Sequence, residues 1–216
     1  MVFNLYRSRD FIYNSPHVFS DRFSGAEERY FSGEFVKIES RFYETNFIAD
    51  ARNLELDTWT DRGPGANQMI NMADGLFICH ISEFPSGGYK KAHSHHVQML
   101  RGSIAAGGAL ILMVKGKGYD LQWPPEAPPS EQTWERVEWQ EGTLMSAGRG
   151  YHQHFNTGDG PARYVVFRPG NSRHTGSFGA WYKRTGGEQI EFENEDPIIR
   201  RMFLQELERA GIPPTM

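Results

Sequence analysis

The residues best suited to chemistry are histidines, which fall in two clusters far apart in the chain. His93, His95 and His96 form the first cluster, and His152 and His154 form the second. Alternate residues of a β-strand point to the same face of a sheet, so His93 and His95 project together, as do His152 and His154. If the two strands face each other across a narrow barrel, three or four imidazoles meet at one point. A divalent transition metal binds to such a set of imidazole nitrogens.

Histidines also have ordinary structural roles, which have to be weighed against a metal site. A lone histidine such as His17, His80 or His174 is more often packed or solvated than a ligand, and a single His-x-His pair is a weak signal. Two such pairs on separate predicted strands are a stronger one, because several buried imidazoles without a metal leave polar groups to satisfy. We therefore predict a bound metal.

The elements that must position these histidines are short strands. Strand-like runs bounded by Gly and Pro follow one another closely, with no helical pattern between them, which is typical of an antiparallel sandwich or barrel. The proline-rich stretch 124–130 is expected to be a surface loop. The predicted strands are residues 75–84, 89–97, 109–114, 119–123, 134–139, 143–146, 151–156 and 162–168.

The two ends of the chain differ in character. Residues 1–62 are irregular and are expected to form an N-terminal extension, followed by a barrel over residues 63–170 and a C-terminal segment over 171–216. In that last segment, an N-cap at Asp196 with Pro197 after it and a stop at Gly211 predict a helix over about 197–210. Its apolar residues fall near one face, so we expect it to pack on the outside of the barrel.

Composition limits the classes of partner. The 23 Lys and Arg against 27 Asp and Glu give a formal net charge of −4, which makes no electrostatic case for nucleic acid or a membrane surface. Cys79 is the only cysteine, so an intrachain disulfide is excluded, and its apolar neighbours predict a buried, inert thiol. No span approaches about 18 apolar residues. We expect a cytoplasmic protein that acts on a small molecule and forms a homodimer.

Two segments of the sequence resemble the cupin superfamily, of the conserved-barrel type called cupin 2. The first motif runs over residues 88–95 and ends near the Gly-Lys-Gly turn at 116–118; the second runs over 142–156, with His-x-x-x-Asn spacing from His152 to Asn156. The resemblance covers about half of the chain. It implies an all-β fold, a double-stranded β-helix or jelly-roll barrel, with His93, His95 and His152 as metal ligands.

The sequence departs from the cupin pattern at one functional position. The glutamate of the first motif would fall near Gly108, where there is no carboxylate, and extra residues 96–107 precede it. We therefore expect a three-histidine site whose shell is completed by Gln98, His154 or water. By strand parity His154 lies on the ligand face, where it can be a ligand, an outer-shell group or a proton shuttle.

These considerations favour a metal-dependent enzyme, and three classes of function stay open. The first hypothesis is a non-haem iron(II) dioxygenase acting on a small organic, aromatic or diketone-like molecule, as other three-histidine cupins do. The second is a redox-free lyase, decarboxylase or isomerase using Zn, Mn or Ni, and the third is a non-catalytic binding barrel. His154 and Tyr151 are the candidate catalytic residues, and no organic cofactor is expected.

Overall fold

The computed structural model describes residues 35–45, 47–72, 77–94, 109–124, 127, 129–147, 150–169 and 188–216. Several predictions fall outside these residues: most of the N-terminal extension, the histidines His95 and His96, Gln98, and the position near Gly108 where the cupin glutamate is missing.

Twelve strands and one long helix are present in the described residues. In chain order they are β1 (Val36–Glu39), β2 (Phe42–Glu44), β3 (Ala66–Met72), β4 (Phe77–Phe84), β5 (His93–Ser94), β6 (Ala109–Lys115), β7 (Lys117–Trp123), β8 (Glu135–Gln140), β9 (Leu144–Ala147), β10 (Tyr151–Asn156), β11 (Ala162–Pro169), β12 (Glu188–Gln189) and α1 (Pro197–Ala210). No helix within the described ranges is long and apolar enough to cross a bilayer.

The strands form two sheets between which the chain passes repeatedly. The larger sheet has the order β1-β2-β3-β4-β11-β6-β9, and the smaller has the order β12-β5-β10-β7-β8. From β4 onward the chain alternates between the two sheets, with β7 and β8 as one consecutive pair, and all neighbours in this region are antiparallel. This is the double-sheet jelly-roll barrel that the cupin resemblance implies. The predicted all-β fold with a C-terminal helix is confirmed.

The barrel interior holds a core to which both sheets contribute. Phe84 and Tyr164 from the larger sheet meet Trp139 from the smaller one, with ring centroids 6.1 and 6.5 Å from that of Phe84. Smaller apolar residues of β6 and β9 fill the space between them: Ala109, Ile111, Met113, Met145 and Ala147. One end of the interior is therefore dry and aromatic, and the histidine strands lie beside it.

Helix α1 covers the outer face of the smaller sheet. Its N-cap and its stop are as predicted: the Asp196 carboxylate accepts from the Ile198 N–H, and Gly211 adopts φ 68° in the left-handed region that glycine favours. Apolar residues of one helix face are buried against the sheet, where they meet Tyr119, Leu121 and Phe155; they are Ile199, Phe203 and Leu207. This helix gives β7 and β10 a fixed backing.

The outer face of the larger sheet is covered by the chain that precedes β3. Ile70, Cys79, Ile81 and Val165 of the sheet are buried under apolar residues of the segment 35–56. Burial raises the pKa of the Cys79 thiol to about 12. The prediction of a buried cysteine is confirmed.

Candidate metal centre

Three histidines meet on the inner face of the smaller sheet. His93 of β5 pairs directly with His152 of β10, and His154 lies two residues further along β10 on the same face. All three side chains are about 1% exposed. One ligand nitrogen of each lies within 4.8 Å of the others. Small side-chain movements are enough to bring nitrogens at this spacing around one ion.

His154 is oriented by a carboxylate on the neighbouring strand. Asp120 of β7 lies opposite His154, and its Oδ1 is 2.8 Å from His154 Nδ1. The same oxygen accepts a hydrogen bond of 2.8 Å from the indole N–H of Trp139. An acceptor at Nδ1 places the ring proton there, which leaves the lone pair of Nε2 for a metal.

His93 is oriented in the same way by a backbone carbonyl. The carbonyl oxygen of Lys91 lies 3.1 Å from His93 Nδ1, which favours a proton on Nδ1 and a lone pair on Nε2 of His93. For His152, burial comes first and the nearby His154 and Arg62 second in holding the pKa well below its usual range. A neutral imidazole is the form that binds a metal, so the donor set fits a divalent transition metal.

The structure separates the predicted site residues into three groups. His93, His152 and His154 are brought together, so the residue predicted as catalytic, His154, stands with two predicted ligands. Tyr151 lies on the opposite face of β10, where its ring stacks on Trp123 with centroids 5.9 Å apart on the side of helix α1. Alternation along the strand accounts for this, since odd and even positions face opposite ways. His95 lies outside the described residues, and its ligand role stays a prediction.

A tyrosine that the sequence reasoning did not select lies beside the histidines. The ring of Tyr164 on β11 is fully buried, with its centroid 4.6 Å from that of His154. Burial raises its pKa to about 12, while Arg62 and a hydrogen bond with Ser82 act in the opposite direction. Parity in the predicted strand 162–168 puts Tyr164 on the same face as Ala162 and Val166. Parity does not reveal that this face is the interior.

The sequence pattern also did not reveal two buried cationic side chains, those of Lys90 and Arg62. Lys90 is 0% exposed and Arg62 is 2% exposed. The Lys90 ammonium lies 5.4 Å from the centroid of the inner-face Phe84 ring, and the Lys90 N–H donates to the His154 carbonyl. Tyr89 pairs with Phe155, and His93 pairs with His152. Three residues lie between Tyr89 and His93 but only two between their partners, so this segment has one extra residue, a bulge. The bulge puts Lys90 and His93 on the same face. Alternation alone predicts opposite faces.

Comparison with known proteins finds likeness only among solved structures. No protein-family model matches the sequence, and no curated protein matches it. A single-substitution variant of oxalate decarboxylase from Bacillus subtilis is similar to this chain with 12% identity and a TM-score of 0.41, over 53% of this chain and 28% of that one. The same enzyme at pH 4.6 gives 12% identity and a TM-score of 0.39, over 54% and 27%. The match therefore spans less than a third of the length of the oxalate decarboxylase chain.

Proposed function

We propose that this protein is a metal-dependent enzyme with a centre formed by His93, His152 and His154, and that it is an iron(II) dioxygenase for a small organic substrate. The observation that carries the proposal is the meeting of three buried imidazoles within 4.8 Å, two of them held at Nδ1 by an acceptor. A hydrogen-bond acceptor at Nδ1 is typical of a histidine that binds a metal, because it sets the tautomer of the ring and the direction of its Nε2.

Within the described ranges, the group of three histidines contains no carboxylate, and this supports the choice of reaction. Three neutral ligands bring no negative charge of their own to a divalent ion, which favours an anionic or chelating substrate. Iron(II) would supply the reactivity towards dioxygen that no side chain of the protein has. The chain itself supplies orientation through Asp120 and the Lys91 carbonyl. The rings of Phe84, Trp139 and Tyr164 exclude water from one side of the centre.

Metal analysis tests the centre directly. We expect about one iron per chain in protein expressed without added metal, and loss of most of it in His152→Ala and His154→Ala. The matched control is His80→Ala, which removes a buried imidazole of β4 outside the group of three. Circular dichroism of each variant checks that the fold is kept. Equal metal content in the wild type and both variants would contradict the proposal.

Oxygen uptake tests the class of reaction. The iron-loaded protein is screened with diketones, thiols and aromatic diols, and we expect oxygen consumption that matches product formation and is lost in His152→Ala. Turnover without oxygen uptake would instead assign a redox-free lyase, decarboxylase or isomerase. A wild type that neither holds a metal after purification nor takes one up on reconstitution would leave a ligand-binding barrel.

A further inference from the structure

Three basic side chains gather around one indole ring in the interior of the molecule. The Arg41 and Arg62 guanidinium carbons lie 4.2 and 5.3 Å from the centroid of the Trp59 ring, and the Lys90 ammonium lies 6.0 Å from it. All four residues are buried. Positive charge out of contact with water is costly unless it is paired, and stacking on an aromatic face supplies part of that compensation. Three cations around one ring form a positive region of the interior that can attract a negatively charged ligand.

Lys90 is a member of the cluster with donor capacity to spare. An ammonium group carries three N–H donors. Within the described ranges of the chain, its one hydrogen bond is to the Pro64 carbonyl oxygen at 3.2 Å. The ammonium also lies near the faces of Trp59 and Phe84. A side chain with these surroundings can donate to an incoming anion without giving up a partner of its own.

The cluster lies next to the metal centre. The Lys90 N–H donates to the His154 carbonyl at 3.0 Å, which puts Lys90 beside a proposed ligand on the paired strand. Phe84 contacts both the Lys90 ammonium and the Tyr164 ring, and Tyr164 in turn packs on His154. The charge of Arg62 acts on both His152 and Tyr164. The cations and the histidines therefore lie in the same part of the interior.

Hydrogen bonds of the backbone and of neighbouring side chains hold the cations in place. The Lys91 N–H donates to the Arg62 carbonyl at 2.8 Å, so the loop that carries Arg62 is tied to the segment before β5 that carries Lys90. Gly65 of this loop has φ +141°, and a Cβ there would lie 2.1 Å from the Glu83 carbonyl and 2.8 Å from the Lys90 ammonium. Arg41 donates to Asn67, whose side chain donates to Ser82 at 2.7 Å. A site fixed in this way loses little entropy on binding.

We propose that the substrate is a small organic carboxylate whose carboxylate group is bound by Lys90 and Arg62 beside the metal centre. The assignment as substrate rests on the proposed function, whereas binding of the anion does not. A guanidinium fork matches the two oxygens of a carboxylate, and Lys90 adds a point charge. The aromatic rings of Trp59, Phe84 and Tyr164 suit the carbon part of an organic acid better than they suit inorganic phosphate.

Calorimetric titration tests the site with defined probes. Malonate and benzoate are compared with the neutral malonamide and benzamide and with inorganic phosphate, using the full chain both metal-loaded and treated with a chelator. We expect each carboxylate to bind at least about tenfold more tightly than its amide, with the preference kept after metal removal. Equal affinity for acid and amide, or binding of phosphate alone, would overturn the proposal.

Variants assign the preference to the cluster. Lys90→Met and Arg62→Met should each weaken malonate binding at least about tenfold, while Lys90→Arg should keep most of it. The matched control is Lys117→Met at the exposed start of β7, which should bind as the wild type does. If Lys90→Met binds malonate as tightly as Lys117→Met, the site is wrong. If the chain holds no metal but a Lys90-dependent carboxylate preference is present, the anion site stands and the metalloenzyme proposal fails.

Discussion

His154 is held from two directions. Asp120 Oδ1 lies 2.8 Å from its Nδ1, and the Tyr164 ring packs against it with centroids 4.6 Å apart. The Trp139 indole donates to the same carboxylate oxygen, so Asp120 is itself fixed from the neighbouring strand β8. At the scale of the residue, the direction of the His154 lone pair is therefore set by groups outside the cluster of three histidines.

Replacing Asp120 by asparagine tests this positioning. Asn keeps the volume but removes the negative charge, so we expect Asp120→Asn to bind its metal about 10–100-fold more weakly. The dissociation constant is measured by competition with a chromogenic chelator, with Asp159→Asn as an exposed control. Asp120→Glu, which restores the charge, should recover part of the affinity if the role is positioning. Unchanged affinity in Asp120→Asn would show that the hydrogen bond does not orient a ligand.

At the scale of the element, helix α1 is the backing of the strands that carry the site. Its buried face meets residues of β7 and β10 that alternate with Asp120 and His154 along those strands. Phe203 packs on Phe155 and Tyr89, with ring centroids 5.4 and 5.1 Å apart. The outward side chains of β10 therefore anchor the strand whose inward side chains form the centre.

Truncation of Phe203 tests how much the fold depends on this packing. We expect Phe203→Ala to lower the free energy of unfolding by about 3–5 kcal/mol, because it leaves a cavity in a fully buried cluster. Leu204→Ala, one residue further on and 37% exposed, is the control and should change it by less than about 0.5 kcal/mol. Both are measured by urea denaturation. Similar losses in the two variants would mean that the helix is not a structural part of the barrel.

The elements that are visible in the sequence are those defined by local signals. The six strands from β6 to β11 agree with the predicted ones within one or two residues because Gly and Pro bound them, and α1 agrees because its caps are local, but β12 was not predicted. The two His-x-His pairs predicted that their strands meet, but face to face across the barrel, whereas the structure pairs β5 with β10 as neighbours in one sheet. The positions of the surrounding side chains, Asp120, Tyr164 and Lys90, could not be predicted in this way. They depend on the order of strands in each sheet and on the bulge before His93, and alternation along a single strand reveals neither.

At the scale of the whole molecule, Arg163 connects the barrel to the segment that covers the larger sheet. It lies on β11 and pairs with Glu83 of β4 at 2.8 Å. The Nη1 atom of Arg163 donates to the carbonyl oxygens of Leu54 at 2.8 Å and Ala51 at 3.2 Å. These bonds lie on the outer side of the sheet, away from the histidines. They fix residues 47–57 of that segment, which follow β2 and contain no helix or strand.

Removing the hydrogen bonds of Arg163 should loosen the segment that covers the larger sheet and leave the metal centre intact. We expect Arg163→Met to lower stability by about 1–3 kcal/mol, because two carbonyls and the Glu83 carboxylate lose their donors. Amide hydrogen exchange should quicken at Leu54, whose N–H bonds to the Asp50 carbonyl, and stay unchanged along β10. Metal content should equal that of the control Arg209→Met, a substitution at an exposed position of α1. Faster exchange along β10, or loss of metal, would show that the covering segment and the centre unfold as one unit, which would make the cover part of the support of the site.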